Sequence, residues 1–238
     1  MLHIQNLTKT YGEKKAVDNL SLHIERGEIY GFIGHNGAGK TTTLKAVAGI
    51  LRFDGGDILI DGVSVLKDPL LCKKSMAYIP DNPDLYDYMT GAQYLDFIAD
   101  VFGIDAKTRK ERIGRYAEAF ALTDDLSSPI SAYSHGMKQK LAIISAWIHA
   151  PRLILMDEPF VGLDPKAAFT LKEMMREACL NGAAIFFSTH VLEVAERLCD
   201  KVAIIQGGEL IRSGTMEQVK GDTSLESVFL SLVEDESC

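Results

Sequence analysis

The sequence of 238 residues predicts an α/β fold in which a mainly parallel sheet carries an N-terminal antiparallel β subdomain and an inserted α-helical subdomain. In the first third, short apolar–polar stretches such as Leu2 to Tyr11 are broken by Gly and Asp, as in an antiparallel sheet. Helical patterns dominate between about Thr90 and Ala150. The last third alternates apolar strands with helices, which is typical of a parallel sheet.

These patterns give approximate boundaries within one domain over residues 1–238. We expect a core lobe of about 1–86 and 151–220, a helical insert of about 87–150 and a C-terminal helix of about 222–233. Thr223 and Glu226 have the spacing of a capping box that would start this last helix. The helix is expected to dock on its own domain, because its apolar residues share one stripe: Leu225, Val228, Phe229 and Leu232.

The composition is that of an ordinary globular domain, with 47% hydrophobic and 24% charged residues. A formal net charge of −8 excludes a basic surface over the whole sequence, so nucleic acid is not an expected partner. One local basic cluster has helical spacing, which favours a solvated helix face: Arg109, Lys110, Arg112 and Arg115.

Cysteine spacing and hydropathy exclude further classes. The four cysteines lack a C-x-x-C pair, which argues against a zinc site or a disulfide framework. The apolar runs, such as "LAIISAWI", are far shorter than the roughly 20 residues that span a bilayer. If the protein works at a membrane, we expect another chain to supply the spanning part.

A complete phosphate-binding motif follows a predicted strand, Glu28 to Ile33, and opens a predicted helix. The segment "GHNGAGKT" fits G-x-x-x-x-G-K-[ST], in which backbone N–H groups and the helix dipole surround an anion. Lys40 can reach the β- and γ-phosphates, and the Thr41 hydroxyl can bind Mg²⁺. The loop expected to bind the nucleotide comprises Gly34, His35, Asn36, Gly37, Ala38, Gly39, Lys40, Thr41 and Thr42.

An acidic pair stands at the end of a second apolar strand, Leu153 to Met156. Ligands bind at the carboxyl ends of strands in α/β sheets, so we expect Asp157 to hold Mg²⁺ through water and Glu158 to polarise an attacking water. His190 ends the next strand, where it is placed to contact the γ-phosphate. These motifs predict a P-loop nucleotide hydrolase or kinase, and the lack of an N-K-x-D stretch disfavours a GTPase.

The motifs and their order resemble the ATP-binding subunits of ABC transporters across essentially the whole chain. "GLDP", Gly162 to Pro165, is similar to the family's D-loop, His190 to its switch histidine and Tyr11 to the aromatic residue that stacks on adenine. "YSHGMKQ" stands where the family has its L-S-G-G-Q signature. The resemblance implies a P-loop NTPase core of the ABC ATPase type that hydrolyses ATP with Mg²⁺, with Asp164 of the D-loop also at a nucleotide.

The resemblance also implies a second phosphate site. In this family two ATP-binding domains close head to tail, and each ATP lies between one P-loop and the partner's signature helix. Ser134 and Gly136 would therefore bind the γ-phosphate of the partner's ATP, at a helix N-terminus that favours negative charge. The implied partners are a second ATPase subunit, identical or paralogous, and a membrane-spanning permease. They would place the chain in the cytoplasm, on the inner face of the cell membrane.

Several positions depart from the family pattern. In the signature, His135 and Met137 replace the usual Gly and Gln. In the Q-loop, Asp81 replaces the usual Gln. After the acidic pair, Phe160 and Val161 replace the commoner Thr and Ser. Asp81 can still bind Mg²⁺ as a carboxylate, but it adds negative charge near the γ-phosphate, so we expect altered kinetics. The retained Ser134 and Gly136 are expected to keep binding in trans possible.

The leading hypothesis is an ATPase subunit that dimerises around two MgATP and powers a separate membrane-spanning exporter. The chain looks most like the stand-alone ATPases of bacterial multi-component exporters, whose permease would meet roughly Asp81 to Phe102. The alternative is a non-transport ABC ATPase that acts as a mechanical switch on nucleic acid or an assembly partner. Members of that class carry two cassettes or a long coiled coil, and this sequence has neither. An importer subunit differs only in its partners, which the sequence does not reveal.

Overall fold

The strands form two sheets in the computed structural model, which describes residues 1–234. The antiparallel sheet has β1 (Leu2–Tyr11), β2 (Lys14–Ile24), β4 (Gly55–Ile60) and β5 (Val63–Ser64). The core sheet has β3 (Ile29–Ile33), β6 (Met76–Ile79), β7 (Leu153–Asp157), β8 (Ala184–Thr189), β9 (Lys201–Gln206) and β10 (Glu209–Thr215).

The helices surround these sheets. They are α1 (Lys40–Val47), α2 (Pro69–Ser75), α3 (Gly91–Val101), α4 (Ala106–Ala119), α5 (His135–Trp147), α6 (Pro165–Leu180), α7 (Leu192–Leu198), α8 (Met216–Lys220) and α9 (Leu225–Glu234), with a 3₁₀ turn at Ile130–Ala132. None of the helices within residues 1–234 is long and apolar enough to cross a membrane.

The antiparallel sheet has the order β2-β1-β4-β5, with Leu2 paired to Ile24 on one side and to Ile60 on the other. Leu2 and Ile4 of β1 are buried while His3 and Gln5 between them are exposed, as expected for a sheet with one face on the core. The predicted antiparallel subdomain is therefore confirmed.

The core sheet has the order β10-β9-β3-β8-β7-β6; β9, β3, β8, β7 and β6 are parallel, and β10 pairs antiparallel with β9 at the edge. Successive side chains point to opposite faces. Phe186 of β8 packs with Tyr30 and Phe32 in the cluster under the antiparallel sheet, whereas Phe187 joins the helical side. Burial on both faces explains why these strands are apolar throughout.

The parallel arrangement places three strand ends at one edge. β3 pairs with β8, and β8 pairs with β7, so Ile33, Thr189 and Asp157 end neighbouring strands. The P-loop, the acidic pair and His190 follow directly. The topology thus brings together residues that lie more than a hundred positions apart in the sequence.

The helical insert begins with well-capped helices. Thr90 and Gln93 form a capping box at α3, and Asp105 accepts hydrogen bonds from two N–H groups at the start of α4. The inserted helical subdomain is confirmed as part of the fold, while its limits of about 87–150 remain a prediction.

The basic cluster on α4 is not a freely solvated face, contrary to expectation. Arg109 forms ion pairs with Asp96 and Asp100 of α3, Arg112 donates to the Ile148 carbonyl at 2.6 Å, and Arg115 binds both Glu177 oxygens of α6 at 2.7 Å. These arginines join α4 to three neighbouring segments, although Arg115, like Lys110, is itself exposed.

The C-terminal helix α9 docks on α7 and α8 with Leu225, Val228 and Phe229 buried. The predicted capping box is wrong. Ser224, not Thr223, caps the helix by accepting from the Ser227 N–H at 3.1 Å, while the Thr223 hydroxyl donates to the Lys220 carbonyl at 2.8 Å.

Three of the cysteines are free and buried: Cys72, Cys179 and Cys199. Burial raises the pKa of the Cys179 thiol to about 12, which keeps it protonated and unreactive at neutral pH. Cys238 lies outside the described residues.

Candidate functional site

The P-loop occupies the turn between β3 and α1 and is packed tightly against two other strands. Gly39 has a φ of +113°, and a Cβ added there would stand 2.4 Å from the Ala16 carbonyl oxygen of β2. A Cβ on Gly34 would stand 2.4 Å from the Ile205 carbonyl oxygen of β9. Glycine is therefore required at both positions, and α1 begins with its N-terminus facing the loop.

Lys40 is folded into the loop with only 6% of its surface exposed. Its Nζ donates to the carbonyls of Gly34 at 2.6 Å and His35 at 3.2 Å. Burial lowers the pKa of Lys40, although Glu158 and Asp157 act in the opposite direction. A poorly solvated ammonium group of this kind is well placed to exchange carbonyl contacts for phosphate oxygens.

Asp157 is fixed by hydrogen bonds from two elements. Its Oδ2 accepts from Thr41 Oγ1 of α1 at 2.6 Å, and its Oδ1 accepts from Ser188 Oγ of β8 at 2.5 Å. The residue is 1% exposed. The carboxylate therefore joins the P-loop helix to the centre of the core sheet.

Glu158 follows in a left-handed conformation, with a φ of +47°. A non-glycine residue in this region costs about 1–3 kcal/mol, so surrounding contacts must hold it. One of them is the hydrogen bond from the Glu158 N–H to Ser188 Oγ at 3.0 Å. This turn carries the Glu158 side chain toward the P-loop.

The Glu158 carboxylate has a buried oxygen that accepts no hydrogen bond from the described part of the chain. His190 Nδ1 lies 2.9 Å and Lys40 Nζ 3.6 Å from its Oε1, but neither contact has the geometry of a hydrogen bond. Across residues 1–234 this buried oxygen has no hydrogen-bond donor. A water molecule can donate to this oxygen, as to a general base, only after Lys40 or His190 moves aside.

A cleft of about 340 Å³ lies over these residues. Tyr11 and Asp81, which are distant in sequence, line it together with most of the P-loop, Asp157 and Glu158. Tyr11 is 52% exposed, and Lys9 Nζ lies over its ring 5.2 Å from the centroid, so an exposed aromatic side chain is present to stack on a planar group. Lys14 and Ala16 also line the cleft and were not singled out from the sequence.

The oxygen atoms around the cleft fit Mg²⁺. Thr41, Asp157 and Asp81 offer one hydroxyl and two carboxylates, the hard ligands that this ion prefers. Within the described chain, no group of three or more His, Cys, Asp or Glu residues could hold a metal. Mg²⁺ commonly uses one or two carboxylates plus substrate phosphates, and this donor set suits that mode.

Ser134 and Gly136 lie elsewhere, at the start of α5. Ser134 Oγ accepts from the Met137 N–H at 3.3 Å and so caps the helix. A Cβ on Gly136 would stand 2.8 Å from the Gly162 carbonyl oxygen, so glycine lets the signature helix approach the D-loop. Neither Ser134 nor Gly136 is among the described residues that line the P-loop cleft.

Asp164 uses both carboxylate oxygens within the chain. Oδ1 caps α6 by accepting from the Ala167 N–H at 2.8 Å, and Oδ2 accepts from Lys140 Nζ of α5 at 2.7 Å. The hydrogen bond from Lys140 is the main reason that the pKa of Asp164 is lowered. This contact joins the signature helix to the D-loop, and a nucleotide role for Asp164 remains a prediction.

Two residues at the site have roles that the sequence did not indicate. Ser188 forms hydrogen bonds with both members of the acidic pair. The sequence signal that could have identified it is a polar residue near the end of an apolar strand that neighbours the strand of the acidic pair. Phe160, one of the departures from the family, packs edge-on against Phe187 at 6.0 Å and lies under Lys172.

We predict that Ser188→Ala lowers ATP turnover by about tenfold to a hundredfold, because a hydrogen bond to a charged group is lost and the Glu158 N–H loses its acceptor. Ser188→Thr should retain most activity. The matched control is Ser145→Ala, which removes a buried hydroxyl that donates to the Ala142 carbonyl of its own helix and does not contact the acidic pair. Equal turnover in wild type and Ser188→Ala would contradict this role.

Comparison with known proteins agrees with this arrangement. The profile of the ABC transporter family matches residues 17–161. The linearmycin resistance ATP-binding protein LnrL of Bacillus subtilis (strain 168) is 33% identical over 230 residues, which cover 95% of this chain and 74% of LnrL.

Solved structures share the fold. The ATP-binding subunit of an ABC transporter superposes with a TM-score of 0.94 at 34% identity, covering 98% of this chain and 99% of that subunit. A dimeric ATP-binding cassette, MJ0796 bound to ADP and Pi, gives a TM-score of 0.83 at 23% identity, covering 91% and 99%. The chain belongs to the ABC transporter family and is an ATP-binding, ATP-hydrolysing subunit of it.

Proposed function

We propose that this subunit dimerises around two MgATP and powers a separate membrane-spanning exporter. The observation that supports this most is that two helix N-termini stand at the positions of the family's phosphate-binding motifs. The start of α1 faces the cleft, whereas the start of α5, at Ser134 and Gly136, does not line it. A phosphate site at this second helix start would be explained by the ATP of a partner.

The chain's own residues would bind and orient the nucleotide. The Tyr11 ring stacks on adenine, the P-loop N–H groups surround the phosphates, and Lys40 turns from the Gly34 and His35 carbonyls to the β- and γ-phosphates. Mg²⁺, when bound, neutralises charge on the β- and γ-phosphates. Thr41, Asp157 and Asp81 are the residues that would hold it.

Hydrolysis would use the Glu158 carboxylate. Once Lys40 has turned to the phosphates, Glu158 would accept a hydrogen bond from the attacking water and polarise it toward the γ-phosphate. His190 Nδ1, 2.9 Å from Glu158 Oε1, would position the carboxylate. Lys40, 3.6 Å away, attracts the same carboxylate until phosphate binds.

The partner would complete the site through a rigid unit. The Lys140–Asp164 bond and the close approach of Gly136 to Gly162 make the signature helix and the D-loop move together. When two chains close head to tail, that unit brings a helix N-terminus to the γ-phosphate. The dimeric form of the MJ0796 cassette supports such an assembly.

We predict that Glu158→Gln binds ATP, turns it over about a hundredfold to ten-thousandfold more slowly and accumulates as a dimer, since loss of the base stops the step that releases the partners. Light scattering with saturating MgATP measures the mass. Glu118→Gln, an exposed change of equal charge on α4, is the control. A Glu158→Gln protein that binds MgATP but stays monomeric would contradict the assembly.

An exposed aromatic surface is the proposed contact with a permease. It is formed by Tyr86, Tyr88, Phe97 and Val101, and Tyr88 and Val101 are 80% and 62% exposed. The Tyr86 ring centroid lies 5.9 Å from that of Tyr88 and 5.7 Å from that of Phe97, so Tyr86 joins the three rings into one patch. The patch follows Asp81 closely along the chain, which links it to the nucleotide cleft.

The finer parts of the proposal are that the transporter is an exporter and that this chain is bound to a permease at the inner face of the cell membrane. They are supported by the resemblance of the motifs to stand-alone exporter ATPases. LnrL is named for resistance to linearmycin, and removal of a toxic compound is one way to give resistance.

We predict that the tagged chain, purified from native membranes in mild detergent, brings with it a multi-spanning protein without a P-loop of its own. Tyr88→Glu should abolish this association and keep ATP hydrolysis, because it places a charge in an apolar contact. Leu180→Glu, at another exposed apolar residue, is the control. Recovery of only soluble proteins or RNA, with ATPase activity intact, would favour the non-transport alternative.

A further inference from the structure

The C-terminal helix reaches the nucleotide loop. Phe229 of α9 is 8% exposed, and its ring centroid lies 4.8 Å from that of His35 at an interplanar angle of 54°. His35 lines the nucleotide cleft, and its carbonyl accepts from Lys40 Nζ. A side chain more than 190 positions away therefore contacts the P-loop itself.

The helix α9 is also hydrogen-bonded to α7, the helix that follows His190. Glu196 of α7 accepts from the Leu225 N–H at the start of α9 at 3.0 Å and from Lys220 Nζ of α8 at 2.7 Å. The bond from Lys220 is the main cause of the lowered pKa of Glu196, so this carboxylate is charged at neutral pH. The helix α9 thus spans from the helix behind His190 to the P-loop.

The apolar residues of α9 make two kinds of contact. Leu225 and Val228 are buried in the core cluster of the domain. Phe229 adds a ring contact to a loop residue that is otherwise exposed. In the described part of the chain, no side-chain hydrogen bond restrains the His35 ring, so the Phe229 contact is its visible restraint.

We propose that Phe229 is a positioning residue for ATP: it holds His35, and with it the backbone of the P-loop, in the geometry that binds phosphate. The proposal rests on the P-loop being the ATP site. A phosphate cradle depends on several N–H groups converging on one anion, so a small displacement of His35 weakens them together. Phe229 contributes to binding and does not take part in bond cleavage.

The test is ATP affinity measured by isothermal titration calorimetry together with KM and kcat. Phe229→Ala should raise the Kd and the KM by about threefold to tenfold, the effect of one aromatic pair, and leave kcat at saturating ATP close to that of wild type. Phe229→Tyr should restore wild-type affinity. Leu230→Ala, 53% exposed on the same helix, should change neither quantity.

The route through His35 is tested by a double-mutant cycle. His35→Ala should weaken binding to a similar extent, and Phe229→Ala should add nothing in its presence. Unchanged affinity in Phe229→Ala, additive losses in the double variant, or a loss of kcat alone would each overturn the proposal. If Phe229→Ala does not fold, Phe229→Leu enters the same cycle and the same outcomes apply.

The variant Lys40→Ala distinguishes a failure of the ATP site itself from a failure of the positioning role of Phe229. If wild type binds ATP and Lys40→Ala binds it equally well, the P-loop is not the ATP site and the proposed function fails. If Lys40→Ala loses binding while the cycle shows no coupling between Phe229 and His35, only the positioning role fails.

Discussion

The position of Asp157 is the constraint on which the rest of the site depends. Its two oxygens accept from Thr41 at the start of α1 and from Ser188 at the end of β8, so one buried carboxylate fixes the P-loop helix relative to the core sheet. The same Ser188 holds the Glu158 backbone in its left-handed turn. Without these bonds, Lys40 and Glu158 would have no defined separation.

In the proposed function the chain carries two separate parts of a catalytic site, because Ser134 and Gly136 do not line the P-loop cleft. One part, around Lys40 and Glu158, is the proposed site where phosphate is bound and water is activated. The other, the signature helix joined to the D-loop through Lys140 and Asp164, presents a helix N-terminus away from that cleft. In the proposed assembly, closure of two copies would join unlike parts, so that the nucleotide would link the subunits and its hydrolysis would release them.

Much of the fold and of the candidate site was predictable from the sequence wherever a motif fixes the local geometry. The strands Leu2–Tyr11 and Lys201–Gln206 follow from apolar patterning, and the convergence of Lys40, Asp157 and Glu158 follows from strand ends in a parallel sheet. Contacts between distant segments were not predictable. Neither Phe229 on His35 nor the pairing of Arg115 with Glu177 leaves a periodic signal, because each depends on how separate helices pack. The cap at Ser224 was missed because two adjacent hydroxyl residues compete for one position.

The central claim is that each ATP lies between the P-loop of one subunit and the signature helix of another. The structure of the Glu158→Gln variant with MgATP tests it most directly, through the distance from the γ-phosphate to each Ser134 hydroxyl. The account predicts that the γ-phosphate bound by Lys40 of one protomer lies within hydrogen-bond distance of the other protomer's Ser134. An ATP enclosed by a single chain, with both Ser134 hydroxyls facing solvent, would contradict it.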